Sequence, residues 1–302
     1  MDGILLLNKP KGLTSHDCVF KIRKILKTKK VGHTGTLDPD VTGVLPICIG
    51  RATKIAEFIT GMSKTYVGEV TLGFSTTTED ASGEIIDKVA VHRTIKKEEI
   101  QLVLAQLTGT HSQTPPMYSA VKVNGKRLYE YARKGIEVER PSREIKIHEL
   151  ILQDPQETYE GESITFSFKV TCSKGTYVRT LAVTIGEKLG FPAHMSHLIR
   201  TASGSFQLEE CSSLEEIEKV MGEGNIQSLL IPMERALIHL PNLQIDDTVA
   251  MKVKNGAVLE VSPLLFDKEQ LLMTDMSGDA LAIYEKHPTK QGLMKPVKVL
   301  SI

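Results

Sequence analysis

The sequence predicts an α/β (α+β) chain that ends in a small, strand-rich segment. Three observations carry this. Ser163 to Cys172 (SITFSFKVTC) alternates apolar and polar residues, so Ile164, Phe166, Phe168 and Val170 share one face of a half-buried strand. Cys18, Val19, Ile22, Ile25 and Leu26 instead recur at helical spacing and form one buried stripe. Beyond Pro241 the chain breaks into short β-rich runs separated by Gly and Asp turns. The expected division is a larger domain over 1–240 and a small β domain over 241–302, about sixty residues and within the usual range for a domain.

Taken in order, Gly3 to Asn8 reads as a strand, and Ser15 as the N-cap of the helix that carries the Cys18–Leu26 stripe. Lys21, Lys24 and Lys27 occupy the opposite face of that helix. Ile55, Ala56 and Ile59 suggest a short helix closed at Gly61. Lys64 to Gly73 (KTYVGEVTLG) is rich in β-formers, and period two puts Lys64 and Tyr66 on one side. Thr94 is placed to cap a helix bearing Ile100, Val103, Leu104 and Leu107. Pro115-Pro116 forces an extended segment, which leads to a hairpin turn at Asn124-Gly125. Tyr177 to Leu189 reads as a helix with Arg179 in its first turn, an unfavourable place for a cation that argues for a specific carboxylate partner. Residues 212–230 read as an acidic helix pair. The C-terminal strands are expected at Val249–Val253, Ala257–Val261, Leu271–Thr274, Leu281–Tyr284 and Pro296–Leu300.

The chemistry concentrates in Val31 to Lys54 (VGHTGTLDPDVTGVLPICIGRATK). Gly32, Gly35, Pro39, Gly43, Pro46 and Gly50 punctuate it, and His33, Asp38 and Asp40 lie within it. Val44 to Ile49 is an apolar run that suggests a short buried strand beside the loop. An ionised carboxylate on a rigid turn next to a buried element suits a catalytic role. Two other readings compete. An Asp before Pro commonly caps its own turn. Asp38-Pro39-Asp40-Val41-Thr42 also fits the D-x-D-x-T pattern of magnesium-dependent phosphatases with an Asp nucleophile, although no hydrophobic strand immediately precedes Asp38.

Composition narrows the class. Of 302 residues, 41% are apolar and 25% charged, as in an ordinary globular protein, and no apolar run is long enough for a membrane span. The first nine residues lack the basic start and long apolar core of a leader and read as a strand. The four cysteines, Cys18, Cys48, Cys172 and Cys211, form no C-x-x-C pair, which points to a reducing, cytoplasmic setting. His194-x-x-His197 has possible metal spacing but no neighbouring carboxylate, and is read as non-metal. Net charge is +0, yet residues 1–64 hold eleven Lys and Arg against five Asp and Glu, while 209–223 hold six Glu against one Lys. A basic rim around the Gly-rich loop suits a polyanion. Lys122, Lys126, Arg127, Arg133 and Lys134, interleaved with Tyr129 and Tyr131, suit gripping phosphates and stacking on bases, and composition alone fits a charged hairpin and helix in solvent equally well.

Four separated blocks, VGHTGTLDPDVTGVLPICIGRATK, SKTYVGEVTLG, QTPPMYSAVKVNGKRLYEYARKG and CSKGTYVRTLAVTIGEKLG, together with the opening LLLNKPKGLTSHDCV, resemble bacterial tRNA pseudouridine-55 synthases of the TruB type. The resemblance runs in order from about residue 3 to 210. It implies a pseudouridine-synthase mixed β-sheet core flanked by helices and a C-terminal PUA-like domain. It implies isomerisation of a uridine in the tRNA T stem-loop, without metal or cofactor, by a soluble monomer with no obligate protein partner.

By the same resemblance Asp38 is the essential carboxylate. An ordinary aspartate pKa near 3.9 leaves it ionised at neutral pH. Attack on the ribose carbon, attack on the base ring and removal of the ribose 2′ proton all remain open. Arg179 corresponds to the arginine that pairs with this Asp, Tyr66 to the tyrosine lying against the target ring, and His33 to the histidine that fills the space of the flipped base. Lys64, Tyr177 and Leu198 correspond to other pocket positions, and Lys9 and Pro10 to a supporting motif. Residues 121–140 correspond to an RNA-gripping insertion. A tRNA chaperone without catalysis is the alternative function.

Overall fold

The computed structural model describes residues 1–301 and divides into two compact units. One comprises Met1–Pro39, Val44–Thr60 and the chain from Gly204 onward; the other comprises Asp40–Gly43 and Gly61–Ser203.

The first unit opens with β1 (Gly3–Lys9), whose Ile4 to Leu7 are buried, and α1 (Ser15–Ile25). The N-cap of α1 is Thr14, one residue before the expected Ser15. Thr14 Oγ1 accepts the Asp17 N–H at 3.0 Å, and Asp17 Oδ2 accepts the Thr14 N–H at 2.9 Å. This reciprocal box occupies Thr14 and leaves the Ser15 hydroxyl for another partner. β2 (Val31–His33) pairs antiparallel with β3 (Thr42–Ile49), Val31 opposite Ile49 and His33 opposite Ile47. The α1 stripe packs on Leu5, Leu7, Val31, Leu45, Ile47 and Ile49. β1 lies beside β3 in the sheet, and α2 (Ala56–Gly61) follows as expected.

The second unit is built on β4 (Lys64–Leu72). α3 (Lys97–Gln106) starts two residues later than expected and is preceded by Lys96. Thr94 does not cap it, because its hydroxyl donates to Glu160 and residues 95–96 pair with 158–159. β5 (Gly109–Gln113) leads through the extended Pro115-Pro116 segment to the Asn124-Gly125 hairpin, where φ is 50° and 80°, and then to α4 (Leu128–Ala132). β6 (Arg143–Leu152), β7 (Ile164–Cys172), α5 (Val178–Leu189) and β8 (Ala193–Ser203) follow. The strand order is β8-β4-β7-β6-β5, antiparallel throughout. Thr42 and Gly43, the first residues of β3, pair parallel with Ile199 and Arg200 of β8, which makes the sheet mixed. Gly43 has φ 105°, and a Cβ there would run into the Arg200 backbone, so only glycine fits.

From Gly204 the first unit resumes. The acidic stretch forms one helix, α6 (Leu214–Gly222), and a short 3-10 turn at Ile226–Leu229, not a helix pair, because Gly222, Gly224 and Asn225 interrupt it. β9 (Leu230–Ile231) pairs with β1. A small β domain follows: β10 (Asn242–Gln244), α7 (Asp247–Lys254), β11 (Leu259–Glu260), β12 (Gln270–Thr274), β13 (Ala280–Lys286) and β14 (Leu293–Val299). The sheet order is β10-β12-β13-β14-β11. Val249–Val253, expected as a strand, lies in α7. Asp246 caps this helix by accepting the Val249 N–H, and Ala250 and Val253, three apart, are the buried residues. Lys54 donates to the Val299 carbonyl, and Glu57 pairs with Lys298, which ties the last strand to the α2 region. Among the described residues no helix is long and apolar enough to cross a membrane.

Candidate active site

Asp38 sits half-buried in the loop between β2 and β3, and the residues on both sides of it are held. The Leu37 N–H donates to Ser15 Oγ at 2.8 Å, and the Ser15 hydroxyl donates back to the Leu37 carbonyl at 3.3 Å. The Pro39 carbonyl accepts the Gly12 N–H and the Lys9 ammonium, both at 2.9 Å. Lys9 is fully buried and also donates to the Pro10 and Leu13 carbonyls. Thr34 closes the other end of the loop, with its N–H and hydroxyl both donating to the Pro46 carbonyl. The LNKPKG segment thus acts as a brace beneath the carboxylate. His33 ends β2 in the same loop and is half-buried. Asp40, by contrast, is exposed.

Three of the expected pocket residues meet on one face of the second unit's sheet. Lys64 and Tyr66 alternate along β4, and Leu198 projects from β8 opposite Gly68. The missing side chain at Gly68 is filled by Leu198 and by Phe168 of β7, which a Cβ there would touch. Tyr66 is therefore held between fixed neighbours, with Val170 opposite on β7 and Arg200 opposite on β8. Arg200 escaped the sequence reading. It is 1% exposed, and a β-bulge follows it before Ala202. Its only sequence signal is a two-residue spacing from Leu198. Burial, and then the charge of Arg200, pull the Lys64 ammonium down to about 8, while its Nζ donates to the Met62 carbonyl at 2.7 Å.

The start of α5 positions the other two. Tyr177 is the N-cap residue; its N–H donates to Gln113 Oε1 and its carbonyl accepts Gln113 Nε2, so one amide of β5 clamps the peptide on both sides. The Arg143 guanidinium lies over the Tyr177 ring, 4.8 Å from its centre. Arg179 is 5% exposed, and its Nη1 and Nη2 donate to the carbonyls of Thr78 and Tyr118 at 2.9 and 3.0 Å. Asp80 Oδ2 lies 3.9 Å from Arg179 Nε. These acceptors offset the poor match between a cation and a helix N-terminus. Asp80 also escaped the sequence reading, since nothing in TTTEDAS marks one polar residue above the others. His194 is buried, with Nδ1 3.1 Å from the Phe74 carbonyl, and His197 is exposed, so the two do not face a shared ligand site.

Known proteins share this sequence and this fold. The N-terminal domain of TruB family pseudouridylate synthases matches residues 23–178, and the C-terminal domain of tRNA pseudouridylate synthase B matches 179–238. A tRNA pseudouridine synthase B of Bacillus cytotoxicus is 63% identical over 300 residues, 99% of this chain and 97% of the relative. That of Geobacillus thermodenitrificans is 62% identical and covers 99% of each. Among solved structures, a chain of a Cbf5-Nop10-Gar1 complex is similar with TM-score 0.74 and 28% identity, over 99% of this chain and 84% of that one. A chain of an H/ACA RNP bound to a substrate RNA containing 2′-deoxyuridine gives 0.72 and 25%, over 99% and 85%. The mixed sheet flanked by helices is the fold of a pseudouridylate synthase. Within that class the chain belongs to the TruB family.

Proposed function

We propose that this protein isomerises uridine to pseudouridine at position 55 in the T stem-loop of tRNA, with Asp38 as the carboxylate on which the reaction depends. The observation that supports it best is the double brace on Leu37 and Pro39, which holds the Asp38 backbone from both sides. A catalytic carboxylate needs such fixed support. In the isomerisation the bond from C1′ to N1 breaks, the uracil turns, and C1′ bonds to C5. C5 releases its proton and N1 gains one, so no electron acceptor is consumed.

Tyr66 would lie against the turning ring, with Lys64 and Leu198 lining the same face, and Tyr177 and His33 completing the RNA contacts. Arg179 would pair with the Asp38 carboxylate. The target base leaves its stack to reach them, and the basic hairpin around Asn124-Gly125 grips the RNA. The domain 241–302 is read as a PUA-like RNA-binding domain on a catalytic domain 1–240. The protein would act as a cytoplasmic monomer.

The test is tritium release from tRNA labelled at uridine carbon 5. Asp38→Ala is expected to abolish release while tRNA binding persists; substantial residual turnover would reject the assignment. A chaperone reading keeps some support from the exposed lysines of α1, and it requires Asp38→Ala to retain the full biological effect. A phosphatase reading finds little support. The strand before Asp38 ends at His33, and Asp40 is exposed.

A further inference from the structure

The turn between two short paired strands after β4, Phe74–Thr76 and Ile85–Lys88, contains a residue that the proposed chemistry does not use. Glu79 has φ 64°, a left-handed conformation uncommon for any residue other than glycine, Asn or Asp. Such strain persists only where the surroundings impose it, and it clusters at functional sites. Three bonds impose it here. The Glu79 N–H donates to the Thr76 carbonyl at 3.2 Å, its carbonyl accepts the Met195 N–H of β8 at 3.0 Å, and its carboxylate Oε2 accepts Thr180 Oγ1 at 2.6 Å. Burial pushes the Glu79 carboxyl up, against the pull of the Thr180 hydroxyl and the charges of Arg179 and Arg140.

The neighbours on each side make this arrangement informative. Thr78, one residue before Glu79, offers its carbonyl to Arg179 Nη1; Asp80, one residue after, faces Arg179 Nε. Thr180, which binds the Glu79 carboxylate, directly follows Arg179 in α5. Asp80 Oδ1 is occupied by Thr78 and Ser82, which holds the curl of the loop from within. We propose that Glu79 is a positioning residue for Arg179. Its carboxylate bolts the curled loop to the first turn of α5 through Thr180, so that Thr78 and Asp80 meet the guanidinium at fixed distances. The inference rests on the reading of Arg179 as a site residue. Glu79 itself touches no substrate.

Three predicted behaviours distinguish this from a merely structural role. Glu79→Ala is expected to lower the single-turnover rate of pseudouridine formation about tenfold to a hundredfold, as a small misplacement of a catalytic group does, while the tRNA Kd changes far less. Glu79→Gln, whose amide oxygen still accepts the Thr180 hydroxyl, restores most of the rate, as does Thr180→Ser where Thr180→Val does not. The Glu79→Ala/Thr180→Val pair loses no more than either single variant, because both remove the same bond. Glu79→Gly, which relieves the backbone strain, serves if Glu79→Ala fails to fold, and is expected to show the same rate loss. A folded Glu79→Ala or Glu79→Gly protein with the wild-type rate overturns the proposal. Arg179→Lys is measured alongside. If it too keeps the wild-type rate, the reading of Arg179 fails as well; if it alone loses rate, only the role of Glu79 is refuted.

Discussion

Burial and the neighbouring Arg200 guanidinium lower the Lys64 ammonium to about 8, against an ordinary lysine near 10.5. In the unfolded chain Lys64 keeps its proton to higher pH. Between about 8 and 10.5 the unfolded state therefore binds more protons, and this residue's contribution to stability rises with pH across that window. At about 1.4 kcal/mol per pH unit, the effect is on the order of a few kcal/mol across that window. The measurement is the difference in unfolding free energy between wild type and Lys64→Met by urea titration. That difference should shift in favour of wild type from pH 8 to 10.5; a flat difference would contradict the buried environment assigned to Lys64. Period two alone puts Lys64 beside Tyr66. It cannot put Arg200 beside them, because that depends on how β8 is registered against β4.

At the scale of elements, the first helix shows how a one-residue difference in the cap bears on the site. Either Thr14 or Ser15 suits an N-cap by composition, and the T-x-x-D box decides for Thr14. Ser15 is thereby released to hold both the N–H and the carbonyl of Leu37, 22 residues away and next to Asp38. Ser15→Ala removes no cap. It leaves the Leu37 N–H without this acceptor, at a cost of about 1–3 kcal/mol. The expected outcome is a modest drop in Tm together with a loss of turnover larger than the stability change explains. A variant with lowered Tm and wild-type turnover would show that the loop keeps its geometry without this brace. In α7 the period itself is ambiguous: five residues, Val249 to Val253, fit a strand or a helix turn, and only the Asp246 cap and the three-residue spacing of Ala250 and Val253 separate them.

For the molecule as a whole, the net charge of +0 conceals an excess of six positive charges in residues 1–64. Lys21 and Lys24 are exposed along α1, as helical spacing predicts, while Lys27, also exposed, falls just past the helix end at Ile25, where its φ of 51° takes it out of the helical row. A polyanionic partner would then be bound with a salt dependence that total charge does not suggest. Replacing these three lysines with alanine should weaken tRNA binding and flatten the slope of log affinity against log salt by up to about 0.9 for each phosphate no longer neutralised. An unchanged slope would remove this face from the RNA path. The C-terminal residues from Asn242 form their own apolar core around Ile245, Val253, Leu271 and Tyr284, which agrees with the strand-rich composition read there.

Local chemistry in the chain was enough to determine most elements, the turn-dense loop bearing Asp38, the basic helix face and, through five ordered blocks, the family. Those features are set by residues within a few positions of each other, where periodicity and turn preferences act. The tertiary structure alone decided which side chains stand opposite one another: Arg200 against Tyr66, Asp80 and Thr78 against Arg179, Ser15 against Leu37. Thr78 and Arg179 lie 101 residues apart. Strand register and packing bring such groups together, and neither leaves a mark in the spacing of neighbouring residues.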